Sequence, residues 1–287
     1  MEKKPIIAFM YDFDRTLSPK NMQEYAFIPG IGLNDEEFWN ECNKTAKKYS
    51  MDPILSYMRV MLDLAEGRQL VTHDTLRSLG KDVKLFKGVK TWFSRVNEYA
   101  ESKGLVPEHY IISSGLKEII EGTSIAGEFK AIYAASFCYN DRGVPFWPAM
   151  AVNYTSKTQF LFRINKGILA DDDGDLNEYM PDNERRIPFR NMIYIGDGMT
   201  DIPCMKLTKD NGGHSIAVFS DDRRNADEML VHRRVDYSVK ADYSENSEME
   251  KTVFEIIDEV AAVSKTKARH YAHIKTAEKN NCLCEDD

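Results

Sequence analysis

The chain has 287 residues, 43% of them hydrophobic, enough for one large domain or for a domain carrying a sizeable insertion around a proper core. Its formal net charge of -8 at pH 7 gives no chain-wide attraction to nucleic acid or to an anionic membrane, so neither is an expected partner. No apolar run reaches the roughly 18 residues of a spanning helix, and the start "MEKKPIIAFMYDFD" runs into an acidic pair without a small-residue cleavage site, which makes the cytoplasm the expected compartment.

In chain order, "PIIAFMYDF" is a short apolar run of the kind that forms a buried strand, and it stops at Asp12 and Asp14. The crossover helix that should follow is delayed by about seventy residues. Within that interval "NDEEFWNECNKTAKKYS" opens on Asn34 as a helix cap followed by acids, and "DPILSYMRVMLDLAEG" carries apolar residues at helical spacing before Gly67. The interval is therefore expected to be a helical insertion. "FKGVKTWFSRVNEYAESKG" is the crossover helix and "HYIISSG" the second strand. "AIYAASFCY" pairs across "NDRG" with the run that follows it as a hairpin, because Asn, Asp and Gly tolerate the turn. The aromatic cluster "VPFWPAM" is expected to pack on the core rather than to form a lip over a site.

"YTSKTQFL" opens a helix at Lys157, and "NMIYIGDG" and "HSIAVFS" are further strands. Alternation of strands and helices predicts an α/β fold, a Rossmannoid parallel sheet with helices on both faces, with ligands at the carboxyl ends of the strands. From about Glu245, Val253, Ile256, Ile257, Val260 and Val263 recur at helical period before the sequence turns polar, which predicts a packed terminal helix with a frayed end.

Several signals point to nothing further. Cys42, Cys138, Cys204, Cys282 and Cys284 are scattered without a Cys-x-x-Cys, so reduced thiols are expected; the terminal "CEDD" has acids where a prenylation signal needs aliphatic residues. A calcium loop on Asp171, Asp173 and Asp175 would need glycine at 176, which is Leu176, so a solvated acidic loop is expected. His270 and His273 lie in a polar stretch with no third ligand nearby and read as surface histidines.

Four features stand at or just beyond element ends: Asp12-x-Asp14-x-Thr16, Ser113 in "IISSG", Lys157, and "GDGMTD" with Asp197 and Asp201. A parallel sheet can bring strand ends together at one edge. Asp12, Asp14 and Asp197 in one crevice repel unless a hard divalent cation is present, and Mg2+ suits a few carboxylates, water and phosphate oxygen. One carboxylate could then attack phosphorus while another moves a proton, with a hydroxyl and a lysine binding the phosphoryl oxygens. Thr16 and Ser18 are read as shaping the turn. Lys166 in "RINKG" competes with Lys157 as the phosphate ligand.

These motifs resemble, in order and from about residue 5 to 240, those of the haloacid dehalogenase superfamily, on its phosphatase side: "DFDRT", "IISSG", "KTQFL" and "GDGMTD". The resemblance, phosphoserine-phosphatase-like, implies Asp12 as nucleophile, Asp14 as general acid and base, and Ser113 and Lys157 as phosphate ligands. It implies Mg2+ held by Asp12, the backbone carbonyl of Asp14, and Asp197, with Gly115, Gly198 and Asp201 in support. The helical insertion would be a C1-type cap, residues 19–85, on a core of residues 1–18 and 86–245, followed by a terminal helix and polar tail over 246–287. Asp14 is the residue that true dehalogenases of the superfamily lack, and Phe13 stands where its ion-pumping members carry lysine. The expected activity is Mg2+-dependent hydrolysis of a small phosphorylated metabolite through an aspartyl-phosphate. The alternatives are a phosphotransferase or phosphomutase, and a non-catalytic binding or regulatory protein that keeps the fold. Phosphoserine itself is left open, because the first acid after the motif is as far away as Glu24.

Overall fold

The computed structural model describes residues 4–170, 174–181 and 184–282. From β1 (Ile6–Tyr11) the chain enters α1 (Phe27–Gly30), α2 (Asp35–Tyr49), α3 (Pro53–Ala65) and α4 (His73–Leu79) before the crossover helix α5 (Val89–Ser102) and β2 (Val106–Leu116). It continues through α6 (Lys117–Glu121), β3 (Ala131–Tyr139), β4 (Pro145–Met150) and α7 (Lys157–Lys166). It then alternates β5 (Met192–Gly196), α8 (Ile202–Asp210), β6 (His214–Phe219), α9 (Arg224–Val231) and β7 (Tyr237–Lys240), followed by α10 (Glu248–Cys282).

The strands form one sheet in the order β4-β3-β2-β1-β5-β6-β7. Every neighbouring pair is parallel except the β3–β4 hairpin. The sheet, its helical faces and the insertion after the first strand are those the sequence predicts, and β7 is an addition whose four residues are too short to carry a pattern. At the hairpin, Asn140 Oδ1 accepts from Arg142 N at 2.9 Å and Val144 N at 3.1 Å, and Gly143 takes the left-handed conformation at φ +71°.

β1 is apolar throughout because both of its faces are covered. Ile7, Phe9 and Tyr11 enter a core with Trp92 of α5, Ile119 of α6 and Val253 of α10. Ala8 and Met10 enter the opposite core with Phe160 of α7, Met205 of α8 and Met229 of α9. The inserted helices share the first core through Phe38, Met58 and Met61. α2 begins at Asn34 with a reciprocal capping box to Glu37, and Asp52 caps α3 ahead of Pro53.

Two expectations need correction. Phe146 and Trp147 of "VPFWPAM" are not packed on the core but 63% and 68% exposed. β4 is an edge strand paired only with β3, a position that also tolerates Pro145 and Pro148. Phe146 borders an outer cavity with Leu70 and Val71, away from the strand ends that carry the motifs. α10 starts at Glu248 and does not fray where its buried side chains stop. Val253, Ile256, Ile257 and Val260 are buried, and Tyr99 stacks on Phe254 with ring centroids 3.9 Å apart. Beyond Ser264 the helix is exposed, His270 and His273 included, and continues on Ala, Lys and Glu, which favour helix without tertiary contacts.

Cys42, Cys138 and Cys204 are free thiols. Asp171 and Asp173 of the acidic segment, and Cys284 with the rest of "CEDD", lie outside the described residues. No helix among the described residues is long and apolar enough to cross a membrane.

At the amino end of β2, the carboxylate of Glu108 accepts from Lys130 at 2.7 Å, from Arg186 at 2.5 Å and from the Tyr110 hydroxyl at 2.6 Å. Burial alone would raise its pKa, but the bonds from Arg186, Lys130 and Tyr110 outweigh burial and hold it at about 2. A carboxyl lowered on folding adds stability above its unfolded pKa and loses it as the pH falls toward the folded value. Glu108→Gln is therefore expected to cost about 2 kcal/mol in urea unfolding at pH 7, and distinctly less at pH 3.

Candidate active site

Asp12 is the first residue past β1, and its backbone N–H still donates to Ile195 O of the neighbouring strand at 2.9 Å. The chain then turns tightly: Thr16, Leu17 and Ser18 all donate their N–H to Phe13 O, and Arg15 sits in the left-handed region at φ +58°. Tyr243, wholly buried, donates its hydroxyl to Thr16 O at 2.8 Å and fixes the turn from below α10. The loop after β1 is thus rigidly anchored to the sheet on one side and to the terminal segment on the other.

Carboxylate oxygens of Asp12, Asp197 and Asp201 come within 4.8 Å of one another. Asp197 directly follows β5, and Asp201 lies in the turn that starts α8. Lys157, at the first turn of α7 and 0% exposed, reaches into this group. Its Nζ donates to Asp201 Oδ1 at 2.7 Å and lies 3.1 Å from Asp12 Oδ1, near enough for an ion pair but outside hydrogen-bond geometry. Asp201 also accepts from the Tyr194 hydroxyl at 2.8 Å and from Gly198 N at 3.3 Å. Thr16 Oγ1 donates to Asp197 Oδ1 at 3.4 Å. No Cβ fits at Gly196, where it would stand 2.7 Å from the Asp201 carboxyl.

The charges do not balance. Two buried carboxylates, Asp12 and Asp201, and the half-buried Asp197 face one ammonium. Burial raises Asp12 to about 6, against the pull of Lys157, and raises Asp197 to about 8 with help from Asp12 and Asp201. Burial opposes the charge on Lys157, but Asp12 and Asp201 outweigh it and keep the ammonium protonated. Among the described residues, Asp12 Oδ1 has only the ammonium of Lys157, 3.1 Å away and poorly aligned, as a neighbouring donor. An all-oxygen donor set with surplus negative charge and an under-satisfied acceptor fits a hard divalent cation.

Asp14 is chemically apart. Its carboxylate contributes no oxygen to the trio; Oδ1 accepts from Met22 N at 2.8 Å. Burial first, then the charge of Asp12, lifts its pKa well above the ordinary range. Asp14 borders a cavity of about 200 Å3 between the turn and the inserted helices. Ser113 is fully buried and its Oγ accepts from Gly115 N at 3.1 Å, which leaves the hydroxyl hydrogen free to donate. Gly115 has no room for a side chain: a Cβ would meet Met22 Cε at 2.1 Å and Asp14 Oδ2 at 3.1 Å.

The structure therefore brings Asp12, Lys157, Asp197 and Asp201 into contact and sets Asp14 beside them. Lys166 lies elsewhere, donating to Leu176 O at 2.6 Å and Glu178 O at 2.5 Å. Two contributors carry no signal in the sequence, and Thr16, read as shaping the turn, also donates to Asp197. Thr16 was legible as the third position of its motif; Tyr194 and Tyr57, which donates to Ser114 O at 2.7 Å, sit in apolar periodic runs that carry no sign of a polar role.

Residues 9–206, more than half of the chain, match the family model described as haloacid dehalogenase-like hydrolase, and the chain belongs to that family. An uncharacterized protein of Borreliella burgdorferi is 27% identical over 285 residues, covering 89% of this chain and 98% of that one. A phosphoserine phosphatase solved as a phospho-aspartyl intermediate analogue shares the fold with a TM-score of 0.55 and 14% identity, over 86% of this chain and 97% of that one. A hydrolase of the same family from Salmonella enterica serovar Typhi aligns with a TM-score of 0.55 and 16% identity, over 83% and 69%.

Removing the ammonium of this group isolates two carboxylates in the core. Lys157→Met is expected to lower the unfolding free energy by about 3 kcal/mol, measured by urea titration at pH 7 in the presence of EDTA. Lys166→Met, which removes contacts to loop carbonyls only, should cost distinctly less.

Proposed function

We propose that this haloacid dehalogenase-like hydrolase is a Mg2+-dependent phosphatase that hydrolyses a small phosphorylated metabolite through an aspartyl-phosphate. The observation that carries the reading is the partition of the two motif aspartates: Asp12 lies in the acidic trio beside Lys157, whereas Asp14 lies outside it and borders the cavity. Two carboxyls in different settings suit two different roles.

Asp12 is the nucleophile. Its carboxylate forms a bond to phosphorus as the ester P–O bond breaks, and Asp14 gives its proton to the departing alkoxide. Asp14 then takes a proton from water, whose oxygen attacks phosphorus, releasing phosphate and restoring Asp12. Ser113, through its free hydroxyl hydrogen, and Lys157 hold the phosphoryl oxygens during both transfers. The carboxylates of Asp12 and Asp197 and the backbone carbonyl of Asp14 would hold Mg2+, with Asp201 in support; when bound, the cation neutralises charge on the phosphoryl group. Gly115 keeps the backbone close to Asp14, and Gly198 supports Asp201 through its N–H.

Residues 1–18 and 86–245 are assigned to the core, 19–85 to a cap, and 246–287 to a terminal helix and tail. The cap touches the core through Tyr57 on Ser114 and through Asn153 Nδ2 on Asp52 Oδ2 at 3.0 Å. Its closure would exclude bulk water during transfer and its opening would exchange product.

Asp12→Asn is expected to lower Mg2+-dependent hydrolysis of 4-nitrophenyl phosphate by about a thousandfold or more; full activity in this variant would overturn the nucleophile assignment. 4-Nitrophenol release that requires an added alcohol and forms the alcohol's phosphate ester in place of free phosphate would identify a phosphotransferase instead. For Asp14→Asn, loss of the general acid should cost about 10²–10⁴-fold on alkyl phosphates and less on 4-nitrophenyl phosphate, whose leaving group departs without a proton. Equal losses on both would remove Asp14 from that role.

A further inference from the structure

The cavity of about 200 Å3 has Asp14 and Ser114 on one side and Gln23, Trp39, Asn43 and Tyr57 on the other. It is smaller than the roughly 300 Å3 at which pockets for drug-sized ligands begin, so the group it admits is small. Two of its walls are fixed by other partners. Trp39 donates its indole N–H to Glu24 Oε1 at 2.9 Å, and Tyr57 its hydroxyl to Ser114 O at 2.7 Å, with the two rings edge to face at 6.2 Å. Gln23 differs: it is 1% exposed and its Oε1 meets no donor among the described residues. A buried acceptor without a donor is unfavourable, and a ligand hydroxyl would satisfy it.

The lining contains no Lys, Arg or His, and Asp14 is its only carboxyl. A leaving group with a carboxylate, such as serine, would be buried beside Asp14 with nothing to neutralise it. Glu24, the nearest acid after the turn, already accepts from Asn21 and Trp39, and it borders a separate cavity, on the Asp197 side of the acidic trio, with Arg15 and Lys20. Carboxamides that both donate and accept, set against aromatic rings, suit a group that is uncharged and rich in hydroxyls.

Resting on the phosphatase reading above, we propose that the substrates are phosphate monoesters of small uncharged polyhydroxy alcohols or sugars, with a hydroxyl of the leaving group donating to Gln23 Oε1. Amino-acid phosphates are rejected for want of a cation in the cavity.

The test compares erythritol 4-phosphate with O-phosphoserine, using 4-nitrophenyl phosphate to report the chemistry alone. For the wild-type protein, kcat/KM for the erythritol ester should exceed that for phosphoserine by about tenfold or more. In Gln23→Met the ratio of the erythritol ester to 4-nitrophenyl phosphate should fall by about tenfold; Gln23→Leu, which also lacks an acceptor, gives the same readout if the methionine variant does not fold. A preference for phosphoserine, or equal losses on both esters in the variants, overturns the pocket assignment and leaves the phosphatase reading standing. If no ester turns over, the phosphatase reading falls, and calorimetric binding to the Asp12→Asn protein decides the pocket on its own. Tighter binding of erythritol 4-phosphate than of phosphoserine supports the proposal; the reverse order, or no binding of either, overturns it.

Discussion

One ammonium among three carboxylates is the constraint on which the rest of this molecule depends. Lys157 is buried completely and sits between Asp12 and Asp201, while Asp197 completes the acidic group. Such a cluster is tolerable in a low-dielectric interior only if each charge is held by several partners. The surroundings meet that requirement element by element. α7 delivers the lysine from its first turn, β5 contributes Tyr194 to Asp201, and the turn after β1 contributes Thr16 to Asp197. What stays unmet is negative charge on Asp12 and Asp197, and that surplus makes this edge of the sheet suited to a cation.

The same edge separates two kinds of carboxyl. Asp12 continues the line of β1 and stays tied to β5 through its backbone N–H, which holds it in the acidic trio. Two residues later the chain has turned, and Asp14 caps the backbone at Met22 at the mouth of the insertion. The difference between the two residues is therefore made by the turn, which is held by Phe13 O, the left-handed Arg15 and the buried hydroxyl of Tyr243. The two different roles proposed for Asp12 and Asp14 rest on this separation of settings.

Core and insertion differ in what they can recognise. The solved structures that resemble this chain share its fold at 14–16% identity, which carries the architecture but not the side chains of the cavity. Gln23, Trp39, Asn43 and Tyr57 all come from the insertion, so the chemistry of this cavity is largely a property of this chain's inserted segment.

Much of this was legible in the sequence. The continuous apolar run of β1, the capping box at Asn34, the "NDRG" hairpin and the helical spacing of Val253, Ile256, Ile257 and Val260 are local patterns, read within a few residues of chain. "DFDRT", "IISSG", Lys157 and "GDGMTD" are equally local, and a parallel sheet suffices to bring strand ends to one edge. Tertiary structure alone decided the rest, because it depends on contacts between residues far apart in sequence. It put the Asp201 carboxylate rather than that of Asp14 into the acidic trio, engaged Lys166 with loop carbonyls, left Phe146 and Trp147 exposed on an edge strand, and buried the amide oxygen of Gln23 without a donor. A sequence records which side chains are present and at what period. Which of them are left with an unmatched charge or an unmatched hydrogen bond is fixed only when the chain closes on itself, and that remainder is where chemistry and recognition reside.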